Sequence, residues 1–143
     1  MSAPTDGPRY IIYVREACEQ LDELDGSLEI RIKNEIDKFL TVWNIDDFFD
    51  KSVTKDVDYI KKKRGDTRGF GSYLRVESIN ILLVLTVFKE KYKQSYWDNS
   101  WKYQSRVEDY EKEIRDGDSN GNIISYIDNL RDDPDYFICG PND

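Results

Sequence analysis

The spacing of apolar positions changes several times along the chain, and each change marks an element. Residues 10–14, Tyr-Ile-Ile-Tyr-Val, are aromatic and β-branched without a polar break, which predicts a strand. Ala17, Cys18, Leu21 and Leu24 then recur at helical spacing until Asp25-Gly26 breaks the run. Ser27 offers a cap for a second helix to about Trp43, with Leu28, Ile32, Ile36, Phe39, Leu40 and Trp43 as its apolar stripe. On its outer side Arg31/Glu35, Glu29/Lys33 and Lys33/Asp37 pair four residues apart. Residues 44–56 form a polar link holding Phe48 and Phe49, and 57–62 read as a short strand before a loop over 64–69. From 70 to 76 the pattern alternates, with Phe70, Ser72, Leu74 and Val76 on one face and Tyr73 and Arg75 on the other. After Glu77-Ser78, residues 79–88 are almost wholly apolar, as a central strand covered on both faces would be. Residues 97–115 predict a long helix with Trp97, Trp101, Val107, Tyr110 and Ile114 inside. A short helix over 123–130 and an irregular tail follow.

The order β-α-α-β-β-β-α predicts an α+β fold. Consecutive strands suit an antiparallel sheet of about four strands with the helical hairpin on one face. The division expected is a loose arm over 1–9, the α+β domain over 10–115, and an acidic C-terminal extension over 116–143. Ile81, Leu83, Leu85, Leu28, Ile32, Ile36 and Phe39 should be buried.

Charge sharpens this outline. The chain of 143 residues carries a formal charge of −8 and no histidine, which excludes histidine-based catalysis and histidine metal sites. The negative charge is uneven. Residues 61–93 hold nine basic residues against three acidic, while the flanks on either side are strongly acidic. A basic middle folded onto one face would attract phosphates despite the overall sign. The bland alternative is a set of solvated charges pairing with the acidic flanks. Three Trp, ten Tyr and six Phe supply enough apolar area for a core. Two cysteines far apart in sequence, Cys18 and Cys139, suit a reducing cytosol. The opening residues hold no apolar signal core, and the run from Ile81 to Phe88 is too short to span a bilayer. A cytoplasmic protein with no membrane partner is expected.

The segment Lys61-Lys62-Lys63-Arg64, the stretch Arg68-Gly69-Phe70-Gly71, then Tyr73-Leu74-Arg75-Val76 and Leu85-Thr86-Val87-Phe88-Lys89 give a run of motifs. With the element order, they resemble the RelE-like toxin superfamily of toxin–antitoxin pairs, in its HigB-type branch. The likeness covers roughly residues 10–115. Leu74 separates a Tyr–Arg pair that is often adjacent in the family, and Glu90 stands where a second lysine is expected. The resemblance implies cleavage of mRNA on the ribosome through attack by the neighbouring 2′-OH, with a cognate antitoxin as partner and no cofactor. Lys, Arg and Tyr do this work in the superfamily, so the lack of histidine is no obstacle. In that scheme Arg75 clamps the phosphate with its planar fork of donors, and Arg68 is a second clamp. Lys89 assists proton transfer, and Tyr73 stacks on a base or donates a proton. Lys61, Lys63, Arg64 and Lys91 bind and steer the RNA. Strand pairing through the 77–78 turn is expected to bring Arg68, Arg75 and Lys89 to one phosphate.

Other readings follow from other features. The acidic surface would suit a non-catalytic binding protein, such as an immunity or anti-defence factor, whose carboxylates cover a basic nucleic-acid-binding partner. The acidic tail is expected to lie over the basic segment. Asp116-x-Asp118-x-Asn120-Gly121 begins like a calcium loop, but position twelve is Ile127 rather than a bidentate glutamate, so no metal is assigned. The aromatics Tyr92, Tyr96, Trp97, Trp101 and Tyr103 suit core packing better than base stacking.

Overall fold

The computed structural model describes residues 7–61 and 65–141, with Lys61 described by its backbone. Six strands form one mixed sheet: β1 (Arg9–Tyr13), β2 (Lys51–Ser52), β3 (Asp58–Lys61), β4 (Thr67–Val76), β5 (Ile79–Lys89) and β6 (Phe137–Cys139). Their order across the sheet is β2-β3-β4-β5-β1-β6. The α+β class holds, but a four-stranded antiparallel sheet does not. β1 runs parallel to β5, and strands β2 and β6 extend the sheet at its two edges. β3 to β5 form the antiparallel meander read from the sequence, β2 adds to it from a stretch read as a polar link, and β5 lies inside the sheet.

Both faces are covered. On one, α1 (Arg15–Glu23), α2 (Gly26–Asp37) and the turn that follows α2 seat Ala17, Leu21, Ile32, Ile36 and Phe39 against Ile11, Tyr13, Leu82, Val84 and Val87. On the other, α3 (Lys93–Asp98), α4 (Trp101–Ser119) and α5 (Ile123–Leu130) cover Ile79, Ile81, Leu83, Leu85, Phe70 and Phe88. This double burial is why β5 has no polar face. Phe70 opposes Thr86 and Gly71 opposes Val84, so Leu85 is the extra residue of a β-bulge.

Several local expectations shift. Asp25, not Ser27, caps α2: its carboxylate accepts from the backbone N–H groups of Ser27 and Leu28, each at 3.0 Å. The helix ends at Asp37 and tightens into a 3₁₀ turn over Lys38–Leu40. Of the residues expected in the core, Leu28 is only half-buried. Trp43 and Trp101, expected inside, are 61% and 69% exposed. The long helix is two, broken at Asn99–Ser100. Asp116, Gly117 and Asp118 lie within α4, so the calcium-like loop does not form.

Arg9 is not part of a loose arm. It opens β1 at 4% exposure, and its guanidinium donates to the carbonyls of Phe39 (2.9 Å) and Val42 and approaches that of Trp43 at 3.5 Å. A buried cation thus closes the C-terminal end of the helical hairpin. Of the segment 116–143, the described residues 116–141 are built into the fold: Ile123, Ile127 and Ile138 are buried with Val107 and Ile114, and β6 pairs with β1 at the edge away from β3. Cys18 and Cys139 are not joined in a disulfide. Among the described residues no helix is long and apolar enough to cross a membrane.

Candidate nucleic-acid interface

The three residues expected to share one phosphate do not gather at one point. Arg68 and Arg75 stand seven residues apart on the regular strand β4, roughly 23 Å in extended chain. An odd separation also sends them to opposite faces. The expected convergence of Arg68, Arg75 and Lys89 on one phosphate is therefore not met.

Arg75 and Tyr73 sit near the β4–β5 turn and are held by one acceptor. The buried Asn80, paired across from Arg75, takes a hydrogen bond from the Tyr73 phenol and another from Arg75 Nη1 at 2.9 Å. Tyr73 packs on Phe39 with ring centres 6.2 Å apart, so it belongs to the hairpin-side core. The Arg75 side chain is exposed, and its carbonyl receives Arg115 at 3.5 Å. A cleft of about 300 Å³ runs beside these residues, but Asp56 and Glu111 line it too. Two carboxylates make it a poor place for a phosphate.

The other end of β4 is different. Thr67 faces Lys89 across the sheet, and Arg68 pairs with Phe88 on one side and with Lys61 on the other. Arg68 Nη1 donates to the carbonyls of Gly65 (2.6 Å) and Thr67 (2.9 Å), which fixes the guanidinium at the strand end. It lies beside the Tyr59 phenol. Burial pushes that phenol above its ordinary value against the pull of the Arg68 charge, so Tyr59 keeps its proton. Lys89 is exposed on the hairpin side. Its charge acts on Asp25, whose carboxylate is held low mainly by the N–H groups of Leu28 and Ser27. Lys91 is exposed, with Nζ 5.1 Å from the Tyr92 ring. Lys63 and Arg64 lie outside the described residues.

Four residues that the sequence pattern does not single out for the site join this end. Lys51 stands opposite Tyr59 in register, and Lys93 opens α3. Tyr59 and Trp97 meet edge to face with centroids 5.2 Å apart. Both ammonium groups lie over these rings, at 5.0–5.8 Å from the centroids. Among the described residues none of Lys51, Arg68, Lys89, Lys91 and Lys93 forms a salt bridge. Arg15, Lys33, Lys38, Arg106, Arg115 and Arg131 pair with carboxylates, while Arg31, Lys55, Arg75, Lys102 and Lys112 also form no salt bridge among the described residues, so this end is distinguished by the number of such cations it gathers. The signal for Lys51 is weak because it lies ten residues ahead of the basic run, and only strand pairing brings it close.

On the far side of α1, a polar network closes the gap where β1 stops. Gln20 accepts from Val87 N–H (2.6 Å) and from the Thr86 hydroxyl (2.8 Å), and donates to the Tyr96 phenol (3.0 Å). Its amide does for β5 what a neighbouring strand would. Glu16 beside it accepts from the Tyr103 phenol (2.6 Å) and from Arg106 (2.7 Å). Every donor here has its acceptor, which reads as structure rather than a vacant site.

In comparisons with known proteins, no family model matches the chain and no curated protein does.

Proposed function

We propose that the protein is a RelE-like toxin that engages mRNA at the Arg68–Lys89 end of its sheet, in the cytoplasm and under control of a cognate antitoxin. The observation that carries the reading is the group of five cations that form no salt bridge among the described residues, beside exposed and half-exposed aromatics, in a protein that is acidic overall. Unpaired cations of this kind attract phosphate and steer a polyanion to the surface. In the cleavage step the 2′-OH attacks the adjacent phosphorus and the 5′ oxygen leaves, forming a cyclic phosphate. Arg68, anchored on two carbonyls, holds the non-bridging oxygens, and Lys89, which starts from the opposite face of the same strand end, passes the proton by reaching around the end of the sheet. Arg75 and Tyr73 have no part in this cast, because they stand toward the other end of β4, where Asn80 accepts from the Tyr73 phenol and from one N–H of the Arg75 guanidinium.

A second reading is favoured by the same displacement of Arg75. Without it the site holds fewer converging groups than the 2′-OH chemistry uses, and binding without cleavage remains, either of RNA or, through the carboxylates, of a basic nucleic-acid-binding protein. Expression in a sensitive host separates these. Wild type and Arg75→Ala should both arrest growth, and the Arg68→Ala/Lys89→Ala pair should not. Arrest that depends on Arg75 alone would refute the placement of the site. A harmless wild type that binds RNA without cutting it would leave the binding reading.

A further inference from the structure

Lys51 and Lys93 come from different elements yet stand on the same two rings. Lys51 Nζ is 5.0 Å from the Trp97 centroid and 5.8 Å from that of Tyr59. Lys93 Nζ is 5.6 Å and 5.4 Å from the same two. Two ammonium groups sharing one ring pair repel each other, and ring contacts at exposed positions return only part of that cost. No carboxylate pairs with either among the described residues. Asp50 and Glu90 do act on Tyr59, while Arg68 adds a third positive charge on the same phenol. The ring pair is itself rigid: Tyr59 is 1% exposed and packs on Phe70, which also meets Trp97. The lysines are therefore positioned before any ligand arrives, which lowers the ordering cost of binding an anion.

Flat apolar surface adjoins the charge. Tyr92, just before Lys93, is 52% exposed. Trp101 is 69% exposed, one turn beyond Trp97, with Ser100 N–H bonded to the Trp97 carbonyl at 3.1 Å. Unpaired bases stack on such rings, and a duplex hides the faces that would do so.

We propose that Lys51 and Lys93, mounted on the Trp97–Tyr59 pair with Arg68 alongside, form a phosphate clamp that takes the backbone of single-stranded RNA. The proposal rests on the RNA reading above for its ligand, while the clamp itself requires only a phosphate oxyanion. The full chain is titrated against a labelled single-stranded RNA of twelve nucleotides over a salt series, against the same RNA as a duplex, and against inorganic pyrophosphate. The Lys51→Gln/Lys93→Gln variant should bind the single strand at least tenfold more weakly. Its plot of log affinity against log salt should be shallower by about 0.7 for each phosphate that the two lysines no longer neutralise. The Lys51→Arg/Lys93→Arg variant should retain affinity, and thermal melting of both should confirm that they fold. Unchanged affinity and salt slope in the glutamine variant would overturn the clamp while leaving RNA binding elsewhere intact. Lysine-dependent binding of pyrophosphate with no RNA binding would uphold the clamp and refute the RNA reading. A preference for duplex over single strand would overturn the stacking part.

Discussion

Glu16 shows how one side chain sets the response of this fold to acid. Burial pushes its carboxyl up, but hydrogen bonds from Tyr103 and Arg106 outweigh that, and the group sits below its ordinary value of 4.5. A carboxylate held low in the folded state binds its proton more weakly there than in the unfolded chain. Its contribution is fully present above about pH 4.5 and is lost as pH falls through the lower, folded value. Glu16→Gln should destabilise the protein by about 1–3 kcal/mol at pH 7, since it leaves a buried phenol and a guanidinium without their anion. Urea titrations across pH should show the gap between variant and wild type closing below pH 4.5. A gap that widens there would contradict the assigned direction. Nothing in the sequence marks Glu16, because its donors are 87 and 90 residues away. The same distance effect hides Lys51. Arg75 misleads for the opposite reason. Its alternation along β4 is legible, but the acceptor that occupies it, Asn80, sits inside a run that reads as apolar.

At the scale of elements, the helices pack by small residues as much as by large ones. Gly117 lies inside α4, where glycine ordinarily costs about 1 kcal/mol relative to alanine. A Cβ there would stand 2.4 Å from Cδ2 and 2.6 Å from Cγ of Tyr126 on α5. These are atoms of the ring near its root, not the end of a flexible chain, so they cannot step aside. Gly117→Ala should therefore lower stability by about 1–3 kcal/mol, against the gain that helix propensity alone would give. Denaturant unfolding decides between the two signs. Periodicity makes most elements legible: β1, both hairpin helices, β4, β5 and α5 lie close to where the apolar spacing puts them. It fails where an element is too short to show a period. The two residues of β2 and three of β6 are strands only because a longer neighbour pairs with them. It also fails at Asp116-Gly117-Asp118, where turn-forming residues stay helical because α5 packs against them.

The whole molecule is an acidic body with one end that gathers five cations without salt bridges among the described residues, and its charge map follows from the sequence more directly than its site does. Nine cations in 61–93 are visible as a count, but whether they share a point depends on which strand ends coincide. The sheet order has a further consequence, for the way the chain reaches its native state. β1 is buried along all five residues, yet its partners are β5, some seventy residues further on, and β6, which lies further still. An apolar segment made early thus waits, unpaired, for most of the chain to emerge. Closing so long a loop before any contact rewards it slows folding and leaves a sticky strand exposed in the meantime. Refolding from urea should proceed through a slow phase in which β5 and β4 are protected from hydrogen exchange before β1. Yield should fall as protein concentration rises, because waiting strands find one another. If β1 gains protection together with β4 and β5, pairing in the meander does not precede closure of the sheet.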